Sequence, residues 1–190
     1  MARALTVLAL LLALTGCAIP ATPTPPGAAP TVAAGDVEPA PVAVEIPAIG
    51  AASTLIPLGL DTDGALAVPP LDQPMQAGWF ELGVEPGQLG PAVIAAHTSG
   101  RDGAGTPLPG LFARLHEVAP GDQIVVERAD AAPLTWSVTE VGRYDKDAFP
   151  THLVYGDVDE PALRLITCIG DIDPATRSHV DNLVVYAVLA

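Results

Sequence analysis

The chain has 190 residues, with 22 acidic and 8 basic side chains and a net charge of −14. That charge excludes nucleic acid and anionic lipid headgroups as electrostatic partners, since like charges repel. The length allows one domain with its own core, and the two cysteines allow no disulfide framework.

The N-terminus reads as an export signal. Arg3 supplies a positive charge, and Ala4 to Leu14 is apolar apart from Thr6. Such a stretch is too short to cross a hydrocarbon core as a helix and fits a signal-peptide apolar region. It ends in Leu14-Thr15-Gly16-Cys17, which resembles the lipobox of bacterial lipoproteins. The resemblance implies a signal peptide over 1–16, lipidation of Cys17, and anchoring to the outer face of the cell membrane. Residues 17–41 are rich in Ala, Pro and Thr. They cannot bury enough surface to offset the entropy of ordering, so they read as a semi-extended tether. With Cys17 lipidated, Cys168 is the one thiol left in the mature chain.

The folded domain is expected over 42–190. Short strand-like runs lie between glycine and proline turns: Val42 to Ile46, Leu55 to Leu58, Ala92 to His97, Gln123 to Arg128 and Leu134 to Val141. Two further runs close the chain, Leu163 to Cys168 and Leu183 to Val188. Many short strands with frequent turn signals argue an all-β barrel or sandwich. A short helix is expected around Leu111 to His116.

Chemistry concentrates near the C-terminal end. Cys168 closes an apolar strand and faces a polar loop carrying Asp171, Asp173, Arg177, His179 and Asp181. A thiol at a strand end is a plausible nucleophile, while a buried cysteine is equally often a small apolar residue. His97 also sits at a strand end, and a Cys and a His on separate strands form a known catalytic pattern. The four histidines lack the spacing of a metal site. Asp171-x-Asp173 lacks the glycine and closing glutamate of a calcium loop. No phosphate-cradling glycine motif or Gly-x-Ser-x-Gly is present, so no metal or other cofactor is expected.

Leu165-Ile166-Thr167-Cys168 resembles the Leu-x-Thr-Cys signature of sortases. The likeness extends through Ile46-Pro47-Ala48-Ile49-Gly50, Ala77-Gly78-Trp79-Phe80, Gly90-Pro91-Ala92-Val93 and His97 to Asp181-Asn182-Leu183-Val184-Val185-Tyr186-Ala187. Within the family the chain is most similar to class F (E/F-like) sortases of high-GC Gram-positive bacteria. The resemblance implies an eight-stranded β-barrel with one or two short helices and a cysteine transpeptidase. It implies Cys168 as nucleophile, His97 as general acid, and Thr167 as a residue beside the nucleophile that holds substrate or oxyanion. The implied partners are secreted proteins or peptides with a C-terminal sorting signal. The implied acceptor is an amine of the cell wall, or water.

Two positions depart from the family pattern. Val180 stands where relatives carry an arginine before Asp-Asn, and Ile169 stands where they carry glycine. Valine cannot donate to a developing oxyanion, a contribution worth about 2.7–4 kcal/mol. Arg177, three residues upstream in the same loop, is the expected replacement. Two readings follow: an active sortase using Arg177, or a sortase-fold lipoprotein that binds peptide or cell-wall material without turnover.

Overall fold

The computed structural model describes residues 39–190 apart from Asp130 and the side chain of Ala131. The export signal, Cys17 and nearly all of the tether lie outside the described residues.

The strands are β1 (Pro41–Ile46), β2 (Ala51–Leu58), β3 (Ala77–Phe80), β4 (Gly90–Ala96), β5 (Ser99–Arg101), β6 (Pro107–Pro109), β7 (Gln123–Arg128), β8 (Ala131–Asp145), β9 (Pro161–Ile172) and β10 (His179–Leu189). Eight of them close a barrel in the order β1-β2-β3-β4-β9-β10-β8-β7, and β5 and β6 form a separate two-stranded sheet. The all-β barrel expected from the sequence is the fold observed. Closure leaves these eight strands without a free edge.

Side-chain alternation sorts the barrel into two faces. Ile94, Trp136, Leu163, Leu165, Leu183 and Val185 point inward and pack with Ile46 and Ile124. The opposite parity carries Val93, Ile166, Val184 and Tyr186 to an outer apolar face. That face is covered by Val154 of the helix α1 (Thr151–Tyr155) and by Phe80, Phe149 and Tyr155. Strand β9 is therefore buried on both faces from Ala162 to Thr167, which explains its mostly apolar run. Arg164 and Thr167 are its polar members. The Arg164 guanidinium lies 4.7 Å from the ring centroid of Tyr186.

The helix expected at Leu111 to His116 is not formed. Gly110 and the turn around it lead into one turn of 3-10 helix at Leu115–Glu117. Leu111, Phe112 and Leu115 are buried, so the apolar spacing that suggested a helix serves to plug one end of the barrel. The α-helix falls instead at Thr151–Tyr155, just after Pro150.

Two pairings are parallel, β2 with β3 and β4 with β9. Parallel strands end on the same side of a sheet. β4 ends at Ala96, whereas β9 runs on to Ile172 along β10, so the strand end expected at Cys168 is not formed: the thiol stands within β9, level with His97 just past the end of β4.

Candidate active site

The position of His97 is fixed from both sides of its main chain. The Phe112 amide donates to the His97 carbonyl at 3.0 Å, and the Gly110 amide donates to the Thr98 carbonyl at 2.9 Å. A Cβ at Gly110 would overlap the His97 carbonyl, so the close approach requires glycine there. The imidazole Nε2 lies 2.6 Å from the Pro69 carbonyl oxygen. A carbonyl only accepts, so Nε2 carries the proton and donates it. The tautomer is thereby set, with Nδ1 as the acceptor nitrogen.

Cys168 is carried to the same place by strand register. Ala95 pairs with Ile166 across β4 and β9. The Thr167 hydroxyl, on a residue 4% exposed, donates to the Ala96 carbonyl at 2.8 Å. Continuing that register by one more residue brings His97 and Cys168 to the rim on the outer face. On the other side Asn182 of β10 pairs with Cys168. The thiol is half-buried and forms no disulfide.

His97, Cys168, Thr167 and Asn182 line one cleft of about 620 Å³. Its walls are mostly apolar and include Leu66, Phe80, Phe149 and Tyr155. Burial pushes the Tyr155 hydroxyl above its ordinary range, so it stays protonated in neutral solution. Among the described residues, the cleft lining holds no carboxylate. It holds one lysine or arginine, Lys146. The Lys146 ammonium donates to Ser178 Oγ at 2.7 Å.

Arg177 is not among the residues lining the cleft. It is exposed, adopts a left-handed φ of 57°, and closes a tight turn by its amide to the Asp173 carbonyl at 2.7 Å. Val180 is 40% exposed, at a register shift between His179 and Asp181. Next to it, Arg143 is paired with Asp181 at 2.5 Å. Gly170, at φ 87°, passes so close that a Cβ there would lie 2.8 Å from Arg143 Nη2. His179 sends Nδ1 to the Gly170 carbonyl at 2.7 Å. The hairpin beyond Cys168 is thus held by its own internal bonds and by Arg143 and Lys146 from the neighbouring segment. The Thr167 hydroxyl is likewise committed to Ala96, so that side chain acts as a brace between β4 and β9.

The sequence reading missed Lys146. Its place follows from strand pairing: Tyr144, two residues earlier on β8, pairs with Asn182, which pairs with Cys168. Among the described residues no three His, Cys, Asp or Glu side chains are grouped so as to hold a metal ion.

The fold and site together are a closed β-barrel with a thiol within β9 and an imidazole just past the end of the parallel strand β4. The chain belongs to the sortase family, whose sequence model, described as the sortase domain, matches residues 44–190. Among solved structures it is similar to a lid mutant of sortase A from Corynebacterium diphtheriae, with 24% identity and a TM-score of 0.57 over 80% of this chain and 71% of that one. Sortase C from Clostridium perfringens SM101 matches at 18% identity and a TM-score of 0.55, over 80% and 71% of the two chains. A sortase D5 transpeptidase from Clostridium perfringens matches at 20% identity and a TM-score of 0.55, over 79% of each chain. At these identities the likeness carries the fold. Comparison with curated proteins finds no match.

Proposed function

We propose that this chain is a cysteine transpeptidase of class F, anchored outside the cell by a lipid on Cys17. The observation that carries the reading is the shared cleft: Cys168 within β9 and His97 just past the end of the adjacent strand β4 line one groove.

The chemistry follows from those two side chains. The Cys168 thiolate attacks the carbonyl carbon of a sorting-signal peptide bond, forming a C–S bond and a tetrahedral oxyanion. Collapse breaks the C–N bond, and the departing nitrogen takes a proton from the His97 imidazolium. Nδ1 is the source of that proton, because Pro69 holds the one on Nε2. The thioacyl enzyme remains. An incoming amine loses its proton to His97, attacks the thioester carbonyl and releases the Cys168 thiolate; with water, hydrolysis results. Thr167 holds the two strands in register, and the apolar walls accept apolar side chains of the signal.

Val180 favours a second reading, a peptide-binding lipoprotein without turnover. One experiment separates the two. The domain is incubated with a library of sorting-signal peptides and the intact mass is followed. A thioacyl adduct that is absent in Cys168→Ala supports the transpeptidase. Binding without an adduct, at concentrations that saturate the cleft, supports the second reading.

A further inference from the structure

We infer that Lys146 is the cation that faces the substrate carbonyl in this cleft, in place of the arginine that Val180 lacks and in preference to Arg177. The inference rests on the transpeptidase reading for its catalytic consequence, and on geometry alone for its placement.

Placement comes first. Tyr144, Asn182 and Cys168 form one row across β8, β10 and β9. Asp145 is extended, with φ −58° and ψ 136°, so the alternation runs on and Lys146 takes the same face as Tyr144. Two strand spacings separate β8 from β9, about 9–10 Å. Lys146 and Cys168 therefore stand on opposite sides of a strip floored by Asn182. That strip is wide enough for one extended peptide, with the thiol on one edge and the ammonium on the other.

Charge gives the second argument. In a chain of net charge −14, the cleft lining has no carboxylate and one ammonium. Lys146 is half-buried, and its hydrogen-bond partner among the described residues is the neutral Ser178 hydroxyl. An ammonium has three donors, so two remain for a ligand. The apolar walls lower the local dielectric and strengthen its attraction for an oxyanion.

Other cations are committed elsewhere. Arg143 is paired with Asp181, Arg114 with Glu117, and Arg101 donates to the Gly105 carbonyl at 2.8 Å. Arg164 is buried over Tyr186, below the rim. The turn just before Val180 supplies an acceptor, Ser178, to a cation that comes from the 3-10 turn Lys146–Ala148 following β8.

The test uses Cys168 as reporter and needs no turnover. The thiol is labelled at low ionic strength with an anionic and a cationic methanethiosulfonate of similar size, and the ratio of the two rates is compared among variants. Lys146→Met should lower the anionic-to-cationic ratio by on the order of fivefold or more, and Lys146→Arg should keep it. Arg177→Met should leave it near wild type. If Lys146→Met loses the melting transition of the wild type, Lys146→Gln repeats the measurement. An unchanged ratio in the folded lysine variant, or a larger change in Arg177→Met, overturns the inference. Peptide cleavage gives the second readout: Lys146→Met should lower kcat/KM by on the order of 10²–10³-fold, with most of the rate kept in Lys146→Arg. Wild-type cleavage by Lys146→Met overturns the inference and leaves the Cys168–His97 reading standing. A shifted labelling ratio in a protein that forms no thioacyl adduct does the reverse.

Discussion

The Thr167 hydroxyl and the Ala96 carbonyl are joined by a buried hydrogen bond of 2.8 Å, one residue before Cys168 and one residue before His97. The bond links β4 to β9 one residue before the two reactive side chains, where β4 ends and β9 continues along β10. It converts strand register into the alignment of a thiol with an imidazole.

Replacing Thr167 by valine keeps the shape and removes the donor. The expected cost is about 1–3 kcal/mol, since a buried acceptor loses a partner. For a domain of this size that is a fall in Tm of roughly 2–4 °C per kcal/mol. Turnover should fall more than substrate affinity, because alignment, not binding, is disturbed. Equal losses in kcat and 1/KM would show that Thr167 contacts substrate instead.

Gly110→Ala tests how tightly His97 is held. The added methyl meets the His97 carbonyl, which is backbone and cannot swing aside. Overpacking of this kind costs about 1–3 kcal/mol. A misplacement of His97 by about 1 Å should lower kcat on the order of 10²-fold. Cys168 labelling by a neutral thiol reagent should stay within a few-fold of wild type. A variant with wild-type kcat would show that the loop at Gly110 does not position the imidazole.

The tyrosines give a pH prediction with a definite sign. Burial, then the hydrogen bond to Tyr144, pushes the Tyr186 hydroxyl well above its ordinary range, and burial raises Tyr155 as well. Both folded values lie above the unfolded value of about 10. Their contribution to stability is therefore full below about pH 10 and is lost as pH rises toward the folded values. Absorbance titration at about pH 11 should show fewer than the three tyrosines of the sequence ionised until the barrel unfolds. Tyr186→Phe should flatten the alkaline fall in stability. Full ionisation in the folded protein would refute the account.

Export is tested by Cys17→Ala. The variant should lose lipidation and keep its signal peptide, which intact-mass measurement of membrane fractions would detect. An unlipidated mature N-terminus in the wild type would overturn the lipobox reading.

Much of the barrel was legible in the sequence because its strands alternate or run apolar. Gln123–Arg128 is a strand over the span read from the sequence, and Leu134 to Val141 forms the middle of β8. Ala77–Phe80 was not read as a strand from its composition, since four residues containing a glycine show no period. The helix was misplaced for the converse reason. Leu111, Phe112 and Leu115 have helical spacing because they fill the barrel end, while Thr151–Tyr155 is too short to display a face. At the site, His97 does follow a strand end, whereas the strand expected to close at Cys168 runs on to Ile172, because β10 pairs with it beyond the apolar run. Lys146 could not be read from its own neighbourhood, Asp145-Lys146-Asp147, which looks like a solvated charge cluster. Its direction depends on the pairing of β8 with β10, a long-range fact that local sequence does not contain.

The parallel pairing of β4 with β9 also governs when the protein can react. Thr167 and Ala96 are 71 residues apart in sequence, and a contact that distant is made only after much chain entropy has been lost. All-β chains dominated by such pairings fold in milliseconds to seconds. Until β9 slots between β4 and β10, Cys168 has no imidazole beside it and behaves as an ordinary free thiol. The site is thus complete only once that long-range pairing has formed. In a refolding reaction quenched at successive times, the labelling rate of that one sulfur is a clock for the docking of β9 on β4.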